Sequence, residues 1–137
     1  MAWLAAKGTG ADRVIVIGNS LGSGVATEVA ARHRIRSLVL VSGFASLVRV
    51  AGDHYPFVPT SLLVLDRYDN VTKLPSVTCP ILLLQGTADT LVSAEHARAL
   101  AAANPSAKLE LVAGLGHELA FRDVSQMRIL TWLRSGS

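Results

Sequence analysis

Cysteine is nearly absent: Cys79 stands alone among 137 residues. No internal disulfide can form, and a zinc site built on cysteine thiolates is excluded. A reduced, cytoplasmic setting is the expectation. Aromatic residues make up 5% of the chain, too few for a base-stacking platform. Charged residues are also sparse, at 17% against 50% hydrophobic, which excludes a disordered chain and describes a buried, sheet-centred protein. The net charge of +3 is scattered. Arg32, Arg34 and Arg36 form the only local cluster, so a solvated rim is expected and no nucleic-acid partner. No apolar run approaches the ~20 residues a membrane-spanning helix needs. The start, Met1 to Lys7, lacks the basic region and long apolar stretch of a signal peptide. The length suits one domain, residues 1–137, able to bury a core.

Against that background one stretch stands out: Val14-Ile15-Val16-Ile17-Gly18-Asn19-Ser20-Leu21-Gly22. Four apolar, mostly β-branched residues run into Gly-x-Ser-x-Gly, and a helix-like pattern follows at once. Chance alone supplies the five-residue pattern in roughly one chain in twenty of this length. The strand before it and the helix after it make it a nucleophile elbow, a tight turn that lifts one serine out of the end of a strand. Gly18 and Gly22 are expected where a side chain would obstruct that turn.

The remaining chain alternates. Ala2 to Lys7 reads as the tail of a helix ended by Gly8 and Gly10. Val14 to Ile17 has no polar alternation and is expected to be a strand buried on both faces. Leu21, Val25, Ala26, Val29 and Ala30 follow helical spacing. Leu38 to Val41 and Ile81 to Leu84 read as two further buried strands, the second starting after Pro80 and ending at Gly86. Between them, residues 43–75 form a short helical insert, with helices expected over Phe44 to Val50 and Thr60 to Tyr68. Ser93 is placed to cap a helix through Ala103, with Glu95 in its first turn. Lys108 to Val112 alternates as an edge strand does. Phe121, Val124, Met127, Leu130 and Leu133 mark the apolar stripe of a C-terminal helix. This order predicts an α/β fold, a mostly parallel sheet of about four strands flanked by helices.

Ser20 as a plain helix cap is the bland alternative to a nucleophile. Asp89, just past a strand, is either an Asx-turn or the acid of a triad. The other carboxylates fit the acid role poorly: Asp66 and Asp69 fall in the insert, and Glu95 lies in a helix. Among the histidines, His33 ends a helix beside two arginines, His96 is expected on the exposed face of a helix, and His54 lies in the insert, where it can line a pocket. Only His117 follows the last strand in a loop turned by Gly114 and Gly116. A serine hydroxyl needs a neighbouring imidazole to take its proton, and that imidazole needs a carboxylate to fix its tautomer. Ser20, His117 and Asp89 supply those types. The glycine pattern carries no Walker lysine and no dinucleotide fingerprint, so neither cofactor nor metal is expected.

Taken together, Gly18-Asn19-Ser20-Leu21-Gly22, Ser37 to Ser42 with Phe44-Ala45-Ser46-Leu47, Cys79-Pro80-Ile81-Leu82-Leu83-Leu84-Gln85-Gly86-Thr87-Ala88-Asp89 and Gly114-Leu115-Gly116-His117 resemble the C-terminal half of a small α/β-hydrolase. The likeness is closest to the branch of intracellular esterases and acyl-protein thioesterases, and the order Ser…Asp…His is that superfamily's. The resemblance implies a truncated α/β-hydrolase fold in which Val14 to Ile17 is the family's fifth strand and the next three are its sixth to eighth. It implies Ser20 as nucleophile, Asp89 as acid, His117 as base and the Leu21 backbone N–H as one oxyanion donor. The family's second donor, from a loop after its third strand, has no counterpart here.

The expected activity is that of a serine carboxylesterase hydrolysing small, short-chain acyl esters through an acyl-enzyme, with Asn19, Phe44, Leu47 and Tyr55 lining the substrate pocket. The rival is an inactive remnant of the fold serving as an interaction module. Among enzymes, an acyl-protein thioesterase or a peptidase stays open, because a triad is silent on the leaving group. A homo-oligomer is expected through the unpaired edge of Val14 to Ile17 or a bare sheet face.

Overall fold

The computed structural model describes residues 1–60 and 68–135. The helix expected over Thr60 to Tyr68 lies outside the described residues save at its two ends. Four strands, β1 (Ile15–Asn19), β2 (Ser37–Val41), β3 (Ile81–Gly86) and β4 (Lys108–Val112), form one sheet in that order. All three pairings are parallel, with Ile17 beside Val39, Leu40 beside Leu83 and Leu84 beside Glu110. Helices connect them: α1 (Ala2–Ala6), α2 (Gly22–Arg32), α3 (Leu47–His54), α4 (Asn70–Lys73), α5 (Ala94–Ala103) and α6 (Asp123–Arg134).

The period-two geometry of strands splits the core into two layers. On one face Leu38, Leu40, Ile81 and Leu83 pack with Ala26 and Ala30 of α2, Leu74 and Leu100 of α5. On the other, Val39, Val41, Leu82, Leu84 and Val112 meet Leu119 and Trp132. Every residue of β2 and β3 is buried, as strands covered on both sides require. The edge strand β4 grades from exposed Lys108 to buried Val112.

β1 departs from expectation. Ile15 and Ile17 are exposed, Ile17 by 55%. Their register puts them on the face of Val39, but α6 and the preceding 3₁₀ turn cover that face only across β2 to β4. Among the described residues β1 has no second strand beside it.

Four helices also differ from expectation. Helix α3 starts later than expected: Ser46 accepts the Arg49 N–H as its cap and the helix runs on to His54, leaving Phe44 and Ala45 in the preceding loop. Ser93 stands before α5 without a side-chain capping bond. The stripe of α6 is rotated: Phe121, Met127 and Leu130 are exposed, while Ser125 and Trp132 are buried with Val124, Ile129 and Leu133 against the sheet. Likewise Leu21 and Val25 face outward from α2, whose buried side is Ser23, Ala26, Thr27 and Ala30.

Candidate active site

The C-terminal ends of β1, β3 and β4 deliver three side chains to one place. After β1 the chain turns so sharply into α2 that Ser20 takes φ +49°, a left-handed conformation costing a non-glycine residue of order 1–3 kcal/mol and typical of functional turns. Two backbone bonds hold it: the Ser20 N–H donates to Val41 C=O at 2.9 Å, and the Ser23 N–H donates back to Ser20 C=O at 2.8 Å. Gly18 is required here, since a Cβ would lie 2.6 Å from Ala26 Cβ and 2.7 Å from the Gly22 carbonyl oxygen. The expectation for Gly22 is not met: nothing stands within 4 Å of a Cβ built there. Leu21 follows Ser20 at the N-cap of α2, so its N–H lies at the positive end of the helix dipole.

Asp89 sits in the turn after β3 with its side chain fully buried. Its Oδ1 accepts the N–H groups of Leu91 (3.0 Å) and Val92 (2.9 Å), and its Oδ2 accepts from Gln85 Nε2 (3.2 Å) and His117 Nδ1 (2.9 Å). Burial alone raises such a carboxyl. The Val92 N–H, the His117 ring and the Leu91 N–H outweigh it and hold Asp89 below the usual carboxylate range.

His117 opens a 3₁₀ turn, His117–Phe121, beyond β4. The loop before it crosses so close to the end of β3 that a Cβ on Gly86 would be 2.2 Å from the Leu115 carbonyl oxygen, which accepts the Ala88 N–H at 2.9 Å. An ionised carboxylate only accepts, so His117 carries a proton on Nδ1, and its Nε2 stands 2.9 Å from Ser20 Oγ. Residues 20, 89 and 117 thus form one hydrogen-bonded row. Such a row can take a proton from the hydroxyl as it attacks a carbonyl and stabilise the resulting imidazolium.

Beside Ser20 is a cavity of about 170 Å³ lined by Leu21, Phe44, Leu47, Val50, Leu91 and Val92. Of the four residues expected to line a substrate pocket, Phe44 and Leu47 line this cavity. Tyr55 and Asn19 do not line it: Tyr55 is 63% exposed at the end of α3 and Asn19 lies in β1. Larger open clefts of about 470 and 620 Å³ lie along α6 and contain none of the three polar residues. Val50, Leu91, Val92 and Gln85 escaped the sequence reading. Val50 is one helical turn from Leu47, Leu91 and Val92 are the apolar pair after the acid, and Gln85 is the lone polar residue in an apolar strand.

The other histidines separate clearly. His33 is exposed at the C-cap of α2. His54 donates toward Leu91 C=O at 2.9 Å and lines a different, open cleft. His96, expected on an exposed helical face, is 1% exposed. α5 turns it inward, where the Ala45 N–H and Asp53 satisfy both ring nitrogens. Asp69 caps α4, its Oδ1 accepting the Thr72 N–H; Asp66 lies outside the described residues. Among the described residues no group of three or more His, Cys, Asp or Glu is placed to hold a metal ion, and no helix is long and apolar enough to cross a membrane.

Comparison with known proteins extends this picture. A family model described as an alpha/beta hydrolase domain matches residues 1–134. An uncharacterized protein of Mycobacterium tuberculosis is 38% identical over 106 residues, covering 77% of this chain and 38% of that protein. MGS-MChE2, an alpha/beta hydrolase enzyme from a lagoon-sediment metagenome, superposes with a TM-score of 0.73 at 20% identity over 98% of this chain and 66% of its own. The esterase RhEst1 from a Rhodococcus species gives 0.70 at 16% identity, over 98% and 70%. The chain spans about a third of the length of the curated relatives it matches.

Proposed function

The chain belongs to the alpha/beta hydrolase family, and from that premise we propose that it is a serine carboxylesterase acting on small, short-chain acyl esters. What carries the reading is the pair of 2.9 Å hydrogen bonds joining Ser20 Oγ to His117 and His117 to Asp89. In this reading Ser20 Oγ attacks the ester carbonyl while His117 Nε2 takes its proton, and Asp89 steadies the imidazolium. The tetrahedral oxyanion is held by the Leu21 N–H at the head of α2. Collapse expels the alcohol, which leaves with the proton from Nε2, and Ser20 keeps the acyl group. Water then attacks the acyl-enzyme, again giving its proton to His117, and the carboxylic acid departs as Ser20 is restored.

The acyl group enters the cavity between Phe44, Leu47, Val50 and Leu91. Its small volume, about 170 Å³, favours short acyl chains over long ones. The row draws on positions 20 to 117, so residues 1–137 act as one unit. The exposed apolar face of β1 supports association with a second copy.

Serine-directed labelling tests the mechanism. A fluorophosphonate should tag the wild type and not Ser20→Ala. On p-nitrophenyl esters Ser20→Ala and His117→Ala should each abolish turnover, and Asp89→Asn should retain a small fraction of it. Untagged wild type would favour the inactive-module reading, and running thioester and peptide substrates beside the esters separates the enzyme classes. Full activity in Ser20→Ala would sink the proposal.

A further inference from the structure

Helix α3 walls the acyl pocket through Leu47 and Val50, yet none of its residues is buried. Among the described residues no other helix or strand packs closely against it. Leu47, Val48, Val50, Ala51 and Gly52 are half-buried and Arg49, Asp53 and His54 exposed, so this helix is held less deeply than the strands of the core. Hydrogen bonds add to its hold. Thr60 Oγ1 reaches Val48 C=O at 3.3 Å, a local bond. Two side-chain bonds cross to the region after β3, and each uses a histidine.

The first runs from His54 Nε2 to Leu91 C=O at 2.9 Å. Leu91 is itself a wall of the pocket, and its N–H is fixed by Asp89. The second runs from His96 to Asp53 Oδ2 at 2.9 Å. His96 is buried in α5 and Asp53 is half exposed. The Ala45 N–H donates to His96 Nδ1 at 3.3 Å, so that nitrogen is bare and the ring proton sits on Nε2, donated to Asp53. Burial pushes His96 down despite the raising effect of Asp53, in keeping with a neutral ring. One imidazole therefore grips both the backbone beside Phe44 and the helix that carries Leu47 and Val50. The seam between α3 and the loop after β3 is an open cleft of about 390 Å³, lined by Arg49, Asp53, His54 and Leu91 among others; side chains do not fill it.

We propose that the His96–Asp53 and His54–Leu91 contacts are tethers that set the acyl-length limit of the pocket. Holding α3 inward keeps Leu47 and Val50 across the end of the cavity, and releasing it opens the cavity to longer chains. His96, His54 and Asp53 are then positioning residues, and this role rests on the esterase reading of Ser20. Removing the Asp53 carboxylate leaves a buried N–H without its partner, which favours displacement of α3 over a small local adjustment.

The test combines Asp53→Ala, His54→Ala, the double variant and Asp53→Asn with p-nitrophenyl acetate, butyrate, octanoate and decanoate. In the double variant the ratio of kcat/KM for octanoate to that for acetate should rise at least tenfold, carried by KM, with kcat on acetate within threefold of wild type. Asp53→Asn keeps an acceptor for His96 and should restore the wild-type length profile. A change of equal size at every length, or an unaltered profile, overturns the proposal. Amide hydrogen exchange in α3 gives a readout independent of turnover: at least tenfold faster in Asp53→Ala, and back to wild type in Asp53→Asn. Unchanged exchange overturns the tether. A wild type that hydrolyses no ester refutes the esterase reading and the pocket's role with it, while exchange still reports whether the histidines hold the helix.

Discussion

Adding one methyl group at Gly86 should disable the site without touching any of its three polar residues. Gly86 ends β3 and lies outside the left-handed region, so alanine meets no backbone strain there. It meets a collision instead. The new Cβ would sit 2.2 Å from the Leu115 carbonyl oxygen, 2.8 Å from its carbon and 3.0 Å from the Gly116 oxygen. All three are backbone atoms, with no side chain to swing aside, and the Leu115 carbonyl must retreat by about 1 Å to reach ordinary contact. That carbonyl accepts the Ala88 N–H at 2.9 Å, the bond that ties the turn of Asp89 to the loop of His117. Asp89 is the residue after Ala88, and His117 is two beyond Leu115, so the displacement acts between acid and base. A 1 Å misplacement costs about a hundredfold in rate, and overpacking of this kind about 1–3 kcal/mol of stability. Steady-state kinetics on a short p-nitrophenyl ester, well below a melting temperature measured on the same sample, should show kcat/KM for Gly86→Ala down about a hundredfold, with the loss mainly in kcat. Wild-type kinetics in a folded Gly86→Ala would refute the argument that this close approach positions His117.

The second glycine of the serine motif should behave in the opposite way: with nothing within 4 Å of its added Cβ and a place in the first turn of α2, Gly22→Ala should gain about 0.5–1 kcal/mol by thermal melting and keep kcat/KM within about twofold. The pH dependence of stability follows from Asp89. Its carboxyl is lowered in the folded state by the Val92 N–H, the His117 ring and the Leu91 N–H against the opposing effect of burial. Its contribution is therefore present above the unfolded value, ~3.9, and lost as pH falls through the lower folded value. Melting curves from pH 6 to 2.5 should decline more steeply at the acid end for wild type than for Asp89→Asn, and parallel curves would contradict it. Light scattering at micromolar concentration should report a homo-oligomer, because Ile15 and Ile17 present an uncovered apolar face; a fully active monomer would remove that part of the proposal.

Local chemistry made much of this legible from the residues. The unbroken apolar runs at Leu38 and Ile81 specify strands covered on both faces wherever helices alternate with them, and β2 and β3 are buried throughout. Gly18 beside Ser20 signalled a strand meeting a helix too closely for a side chain, and the order of Ser20, Asp89 and His117 followed from which loops end strands. Coverage, by contrast, is decided by neighbours distant in sequence. Val14 to Ile17 reads like β2, yet Ile15 and Ile17 are bare because α6 stops short of them. The stripe of α6 has two candidate faces by spacing, and only the fit of Trp132 beside Leu119, against the sheet, chose one. His96, beside Glu95 in the first turn of α5, looks like a surface residue until α3 brings Asp53 to its Nε2. Gly86 reads as a strand terminator, but what demands it is the crossing loop of Leu115. Periodicity and turn chemistry are properties of a few adjacent residues and can be read in one dimension; the hydrogen bonds of His117 to Asp89 and Ser20 join residues 28 and 97 positions apart, and folding alone brings those together.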